Sequence, residues 1–342
     1  MTDTTKPEKQ DAELTELGPY DLEARLGQGG MGIVYLATHK KLHRKVALKV
    51  LHPHLLRHEN LKDRFRREAR MHAKLMHPNI VTLLSLYEDD NHMALVMEMV
   101  HGKDLKAYLR TNPDLPLLEK LDIAQHILTG LEAAHKFGMV HRDLKPANVL
   151  ISNGHEVKLM DFGLAKPEQG DDDLTQSGAT VGSFRYMSPE QILNQPIDAR
   201  TDLYAFGILM FQMTTGKLPF DATSNGGEFE IMEKQVREPA PLPHELNPAI
   251  PLVLSELIVQ LLEKNKHDRP SSAVHVRQSI RQIADSLQQF QPTATVRIHA
   301  AAAAAPSNLE VAQQWLYIAS CRAKDLLNTL QPLLKKPKVQ LG

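Results

Sequence analysis

The run His141-Arg142-Asp143-Leu144-Lys145-Pro146-Ala147-Asn148 sets an aspartate and an asparagine five positions apart, and Asp161-Phe162-Gly163 adds a second aspartate eighteen residues after the first. Asp143 is a carboxylate able to accept the proton of an attacking hydroxyl. Asn148 and Asp161 are hard oxygen donors of the kind magnesium takes, since that ion keeps several waters and uses few protein ligands. Lys145 can neutralise charge on a transferring γ-phosphate. Phosphoryl transfer from ATP to an alcohol asks little more of side chains, because its chemistry is mostly positioning and charge neutralisation. A solvated polar loop is the competing account, but seven specified residue types in order arise by chance at roughly one in 10⁹ positions.

Two further groups fit the same chemistry. Leu26-Gly27-Gln28-Gly29-Gly30-Met31-Gly32-Ile33-Val34 contains a G-x-G-x-x-G core, in which glycines let a hairpin backbone approach phosphates closely. Alone it is weak evidence, since many turns contain three glycines. A dinucleotide fold would need a helix directly after it, and Ile33-Val34-Tyr35-Leu36-Ala37 reads as strand. Lys49 lies in the apolar strand Val46-Ala47-Leu48-Lys49, where a lone ammonium is costly without a counter-charge. Glu68, nineteen residues later on a helix, is the expected partner, and the lysine can then bind the α- and β-phosphates of ATP. Taken without the other motifs, a surface Lys49 and a Glu68 that is one charge among many fit equally well.

These residues need a small sheet and a larger helical region to position them. From Tyr20 to about Met99 the pattern is strand-like, interrupted by one helix over 61–76, where Leu61, Phe65, Ala69, His72 and Leu75 form a stripe. Beyond Gly102 the period becomes helical, over 117–137, 202–215, 253–263 and 272–290. Residues 1–19 read as a disordered leader lacking the apolar core of a secretory signal. The segment 291–306 offers little to bury and reads as a linker. Within 307–342, Ser307 and Glu310 form a capping box, Trp315 and several leucines trace one helical face, and Lys335, Lys336 and Lys338 make a basic end.

Composition narrows the function classes. The 342 residues are 42% hydrophobic and 24% charged, and 40 Lys plus Arg nearly cancel 41 Asp plus Glu. No global basic field argues for nucleic acid or an anionic membrane surface. The longest apolar run, around 203–213, is well short of the ~20 residues that span a bilayer, and reads as a buried helix. Cys321 is the only cysteine, which excludes an internal disulfide and fits the cytoplasm. His52, His54 and His58 cluster, but without HExxH or paired Cys/His spacing they read as surface or capping residues rather than a metal site.

Taken together, the chain resembles the Hanks-type (eukaryotic-like) bacterial serine/threonine protein kinases from about 20 to 290. His77-Pro78-Asn79-Ile80-Val81, Ser188-Pro189-Glu190, Asp202-Leu203-Tyr204-Ala205-Phe206-Gly207 and Asp268-Arg269-Pro270 extend the match. The resemblance implies an α+β, bilobal kinase fold: an antiparallel-sheet N-lobe with one helix over 20–101, and a larger, mainly α C-lobe over 102–290. It implies ATP and Mg²⁺ as cofactors, and protein substrates with Ser or Thr acceptors. Glu98 and Val100 would offer backbone groups to adenine beside the gatekeeper Met97, and Asp104 would reach the ribose. Arg269 would pair with Glu190 inside the C-lobe. Lys145 and Ser183 are similar to residues that select seryl and threonyl acceptors, Ser183 shaping the acceptor pocket. A pseudokinase scaffold would have lost Lys49, Asp143 or Asp161. A small-molecule phosphotransferase would lack the Ser-Pro-Glu segment.

Arg142 resembles the arginine that pairs with an activation-loop phosphate in kinases controlled that way. Thr175, Ser177 and Thr180 are hydroxyls that lie between Asp161 and Glu190, and a phosphate on one of them could pair with it. Asp171-Asp172-Asp173 reads as a solvated acidic turn. The C-terminal helix carries no kinase motif, and docking on the core, self-association and binding a separate partner all remain open to it.

Overall fold

β-Branched and apolar residues at alternate positions give an extended segment two usable faces, and the N-terminal part of the chain buries both. A computed structural model of the protein describes residues 14–162, 183–222 and 227–289. Six strands, β1 (Glu16–Leu17), β2 (Tyr20–Gly29), β3 (Gly32–His39), β4 (Arg44–Leu51), β5 (Leu83–Glu88) and β6 (Met93–Glu98), form an antiparallel sheet in the order β1-β2-β3-β4-β6-β5. Val46, Leu48 and Val50 of β4 join Ala94 and Val96 of β6 in one core, with Leu17, Tyr20 and Ala37. Leu51 of β4 and Met93, Leu95 and Met97 of β6 build the other, with Phe65 and Ala69 of α1 (Glu59–His72). Because side chains alternate along a strand, Lys49 shares the α1 side with Ala47 and Leu51.

Two boundaries differ from the sequence expectation. The leader expected over 1–19 gives way earlier: Leu17 is buried, and β1 pairs with β2 across Gly18-Pro19, with Gly18 at φ +52°. One buried leucine between polar neighbours is too short a signal for periodicity to register. The helix expected over 61–76 ends at His72, where Lys74 and Leu75 donate instead to the carbonyls three residues back, Met71 and His72. Such tight bonds are how helices commonly close.

The C-terminal part begins with β7 (Gly102–Asp104), α2 (Leu105–Thr111) and α3 (Leu117–Lys136), followed by β8 (Val149–Ser152) and β9 (Val157–Leu159). Strands β7, β8 and β9 form a small antiparallel sheet in that order. After it come α4 (Pro189–Ile192), α5 (Ala199–Thr215), α6 (Gly227–Arg237), α7 (Pro243–Leu246), α8 (Leu252–Leu261) and α9 (Ala273–Gln289). Every residue of α5 from Thr201 to Phe211 is buried, the signature of a central helix that is apolar all round. Gly207 permits its close packing on α8, since a Cβ there would lie 2.8 Å from Leu261 Cβ. Asp198 caps the start of α5, and Gly216 in the left-handed conformation ends it.

The α+β kinase architecture expected from the sequence is therefore the one observed. The chain divides into two units, Met1–Gln282 and Ile283–Gly342. Of the second, only the last turns of α9 are described; the linker over 291–306 and the helix and tail over 307–342 lie outside the described residues. Among the described residues, no helix is long and apolar enough to cross a membrane.

Candidate active site

The β2–β3 register pairs Gly29 with Gly32, so Gly30 and Met31 form a two-residue turn. Gly32 has to be glycine, because a Cβ there would sit 2.0 Å from the Val50 carbonyl oxygen. Gly27 and Gly29 face open space instead, and Leu26 beside them is exposed. Gln28 accepts from the Arg25 guanidinium, while Ile33 and Val34 continue into the half-buried strand. Met31, expected among the nucleotide-contacting residues, turns its side chain into the core beneath α1. Its carbonyl accepts from His52 N–H at 2.9 Å, and His52 Nε2 lies 3.0 Å from the Gly29 carbonyl. His52 therefore moors the hairpin, His54 stacks on it with centroids 5.5 Å apart, and His58 is the N-cap residue of α1.

Lys49 Nζ lies 2.7 Å from Asp161 Oδ1, with both side chains largely shielded. The counter-charge expected from Glu68 is thus supplied by Asp161 in this structure. A shielded ammonium pairs with the carboxylate the fold brings within contact distance. Asp161 itself has a left-handed backbone, φ +57°. Glu68 stays on α1 between the neighbours of Phe65 and Ala69, with Oε2 buried.

Asp143, Lys145 and Asn148 converge. Asp143 Oδ2 accepts from Lys145 Nζ at 2.8 Å and from Asn148 Nδ2 at 2.9 Å, and the same amide donates to the Asp143 carbonyl at 2.8 Å. The loop hangs from Asp202 at the start of α5, whose oxygens accept His141 N–H at 2.8 Å and Arg142 N–H at 2.9 Å. His135 Nε2 approaches the same carboxylate at 2.8 Å. Burial opposes ionisation of Asp202, but His135 and the backbone donors outweigh it and keep its pKa low. His141 is buried against Phe162 at 4.6 Å, and Phe162 meets His72 of α1 at 5.5 Å. Burial lowers the pKa of both imidazoles, so they pack as neutral rings.

At the junction between the two sheets, the Glu98 carboxylate accepts from Thr82 N–H at 2.8 Å and Lys158 Nζ at 2.9 Å. Burial would raise its pKa, yet these bonds lower it. Its own N–H donates to the Thr82 carbonyl at 3.0 Å, leaving the Glu98 carbonyl as the backbone group to offer a ligand. Met97 is buried and Val100 packs on the same cluster. Asp104 caps α2, accepting from Ala107 N–H at 2.7 Å.

Deeper in the C-lobe, Arg269 donates to Glu190 through two nitrogens, at 2.7 and 2.8 Å, with both side chains almost fully buried. Thr201 Oγ1 completes the carboxylate at 2.8 Å. Ser188, where the commoner wording has alanine, caps α4 in a reciprocal box with Gln191. The Gln191 amide also donates to the Arg142 carbonyl at 2.9 Å, and Arg142 is held at φ +64°. Ser183 opens a short turn over Ser183–Tyr186. Thr175, Ser177, Thr180 and Gly163 lie outside the described residues. Sequence reasoning missed His135, Gln191 and Lys158 as supports; only Asp202, an acid heading an apolar run, carried a visible signal.

The donor set suits a divalent cation. Asn148 Nδ2 is committed to Asp143, which leaves Oδ1 as the acceptor of that amide, and Asp161 keeps Oδ2 beyond its bond to Lys49. Both are hard oxygens. The model of the protein kinase domain family matches residues 20–282. Serine/threonine-protein kinase PksC of Streptomyces coelicolor is 41% identical over 285 residues, covering 81% of this chain and 51% of that protein. Serine/threonine-protein kinase PknB of Mycobacterium leprae is 36% identical over 262 residues, covering 75% of this chain and 42% of that protein. The chain thus spans about half or less of the length of these relatives. The crystal structure of the Mycobacterium tuberculosis PknI kinase domain superposes with TM-score 0.63 at 26% identity, covering 79% of this chain and 98% of that one. This chain belongs to the protein kinase domain family.

Proposed function

We propose that the protein is an ATP- and magnesium-dependent serine/threonine protein kinase acting in the cytoplasm. The observation that carries the reading is the convergence of Lys145 and Asn148 on Asp143, within a chain whose matched relatives are named serine/threonine kinases. In this reading Asp143 takes the proton of a seryl or threonyl hydroxyl while its oxygen bonds the γ-phosphorus and the bond to ADP breaks. Lys145 sits beside that carboxylate to balance charge on the transferring group. Lys49 leaves Asp161 for the α- and β-phosphates, the glycine hairpin from Leu26 to Val34 covers them, and Gly27 and Gly29 leave room to do so. The Glu98 carbonyl and Val100 hold adenine, Asp104 the ribose, and Ser183 borders the acceptor. Asn148 and Asp161 would hold magnesium, which when bound neutralises phosphate charge.

A pseudokinase scaffold is disfavoured because Lys49, Asp143 and Asp161 are all present. A small-molecule phosphotransferase is disfavoured by the Ser188-Pro189-Glu190 segment, locked by Arg269. Control is assigned to autophosphorylation at Thr175, Ser177 or Thr180, paired with Arg142. Incubation with labelled ATP, magnesium and dephosphorylated casein should label casein seryl and threonyl groups and the chain itself. Asp143→Ala should lower that rate by about 10² to 10⁴. Failure to label any protein would overturn the reading.

A further inference from the structure

Gln235 is fully buried on α6, a helix whose other buried residue is the apolar Ile231. A buried amide is costly unless its donor and acceptor are both used, and here they are. Its Nε2 donates to the Arg185 carbonyl at 2.8 Å, and its Oε1 accepts from the Tyr204 hydroxyl of α5. Its backbone carbonyl accepts Lys264 Nζ at 2.9 Å. That ammonium rests 4.0 Å from the centre of the Phe220 ring, and the Arg269 guanidinium lies 4.7 Å from the Tyr204 ring. The amide therefore has one orientation, with nitrogen toward the carbonyl and oxygen toward the phenol.

Arg185 and Tyr186 are fixed from other sides as well. Arg185 Nη1 pairs with Asp221 Oδ1 at 2.7 Å, and Tyr186 donates to Gln212 Oε1 on α5 at 2.6 Å. Gln235 thus bonds α6 directly to the backbone of the short turn Ser183–Tyr186. The Tyr204 hydroxyl, donating to Oε1, selects this amide orientation together with the Arg185 carbonyl.

We propose that Gln235, oriented by Tyr204, is a positioning residue for the acceptor polypeptide, fixing through the Arg185 carbonyl the turn against which the chain flanking the acceptor hydroxyl lies. This rests on the protein kinase reading above. The hydrogen bonds of Gln235 and Tyr204 run to Arg185, Lys264 and each other, so the effect expected is on acceptor binding rather than on the KM for ATP.

Steady-state transfer to casein by the full chain tests it, with Gln235→Met removing both amide functions and Tyr204→Phe removing only the orienting hydroxyl. Gln235→Met should raise the acceptor KM by about tenfold, the scale of one lost buried hydrogen bond, with the KM for ATP unchanged. Tyr204→Phe should move it the same way by less. Trypsin should cut the Gln235→Met chain faster after Arg185, a readout independent of turnover. An unchanged acceptor KM, or equal rises in both KM values, would overturn the inference while wild-type transfer left the kinase reading standing. No transfer by the wild type would remove both.

Discussion

Lys49 and Asp161, separated by 112 positions, form an ion pair with Nζ 2.7 Å from Oδ1. In the proposed reading each gives up this partner when substrate phosphates and a cation enter, and until then the pair holds both charges in place. Lys49→Met keeps an unbranched side chain on β4 and leaves the sheet intact. Turnover is expected to fall by about 10² to 10³ while the thermal midpoint scarcely moves, as steady-state transfer and a thermal scan would establish.

Asp202 serves two backbone donors and His135 from a position 1% exposed. Asp202→Ala strands all three groups in the interior, and loss of one member of such a buried cluster costs about 3 to 5 kcal/mol. Urea denaturation should show a loss of unfolding free energy of that size. Asp202→Asn, which keeps one acceptor, should cost less, and an equal loss from both variants would contradict the geometry.

The Glu190–Arg269 pair predicts a pH dependence. Burial alone would raise the Glu190 pKa, but the Arg269 bonds hold it below the ordinary 4.5. A carboxyl with a depressed folded pKa adds stability above its unfolded value, and that stability is lost as pH falls from about 4.5 through the folded one. Glu190→Gln should therefore be less stable than wild type at neutral pH, with the gap closing below pH ~4.5. Unfolding free energies measured from pH 3 to 7, if parallel for the two proteins, would rule this out.

Glycine positions in the hairpin separate into two kinds. Gly32→Ala forces a Cβ to 2.0 Å from the Val50 carbonyl, so β3 and β4 must part, and a loss of roughly 1 to 3 kcal/mol is expected. Gly27→Ala meets nothing and should leave unfolding unchanged while raising the KM for ATP. Calorimetry alongside nucleotide kinetics distinguishes them.

Much of the site was legible because its chemistry is written in contiguous words. Asp143, Lys145 and Asn148 share one loop, so their spacing alone brings them together. The partner of Lys49 was not legible, since Asp161 lies 112 positions away and no spacing in the sequence links the two. Asp202 was visible as an acid heading an apolar run, but its hold on the loop was not, because a bond to a backbone N–H leaves no complementary residue in the sequence; its side-chain partner His135 lies 67 positions away. The helices expected from periodicity over 117–137 and 202–215 are found over Leu117–Lys136 and Ala199–Thr215, whereas β1 rests on the single buried Leu17. Gln235 was invisible for a similar reason, its acceptor being a carbonyl fifty positions away.

The carboxylate that suspends His141 and Arg142 lies 61 and 60 residues downstream of them. During synthesis, the loop bearing Asp143 thus emerges from the ribosome well before its hook. It cannot settle into its working shape until α5 has followed and buried itself. A nascent chain arrested before Asp202 would carry every motif of the catalytic loop and still lack the carboxylate that holds it.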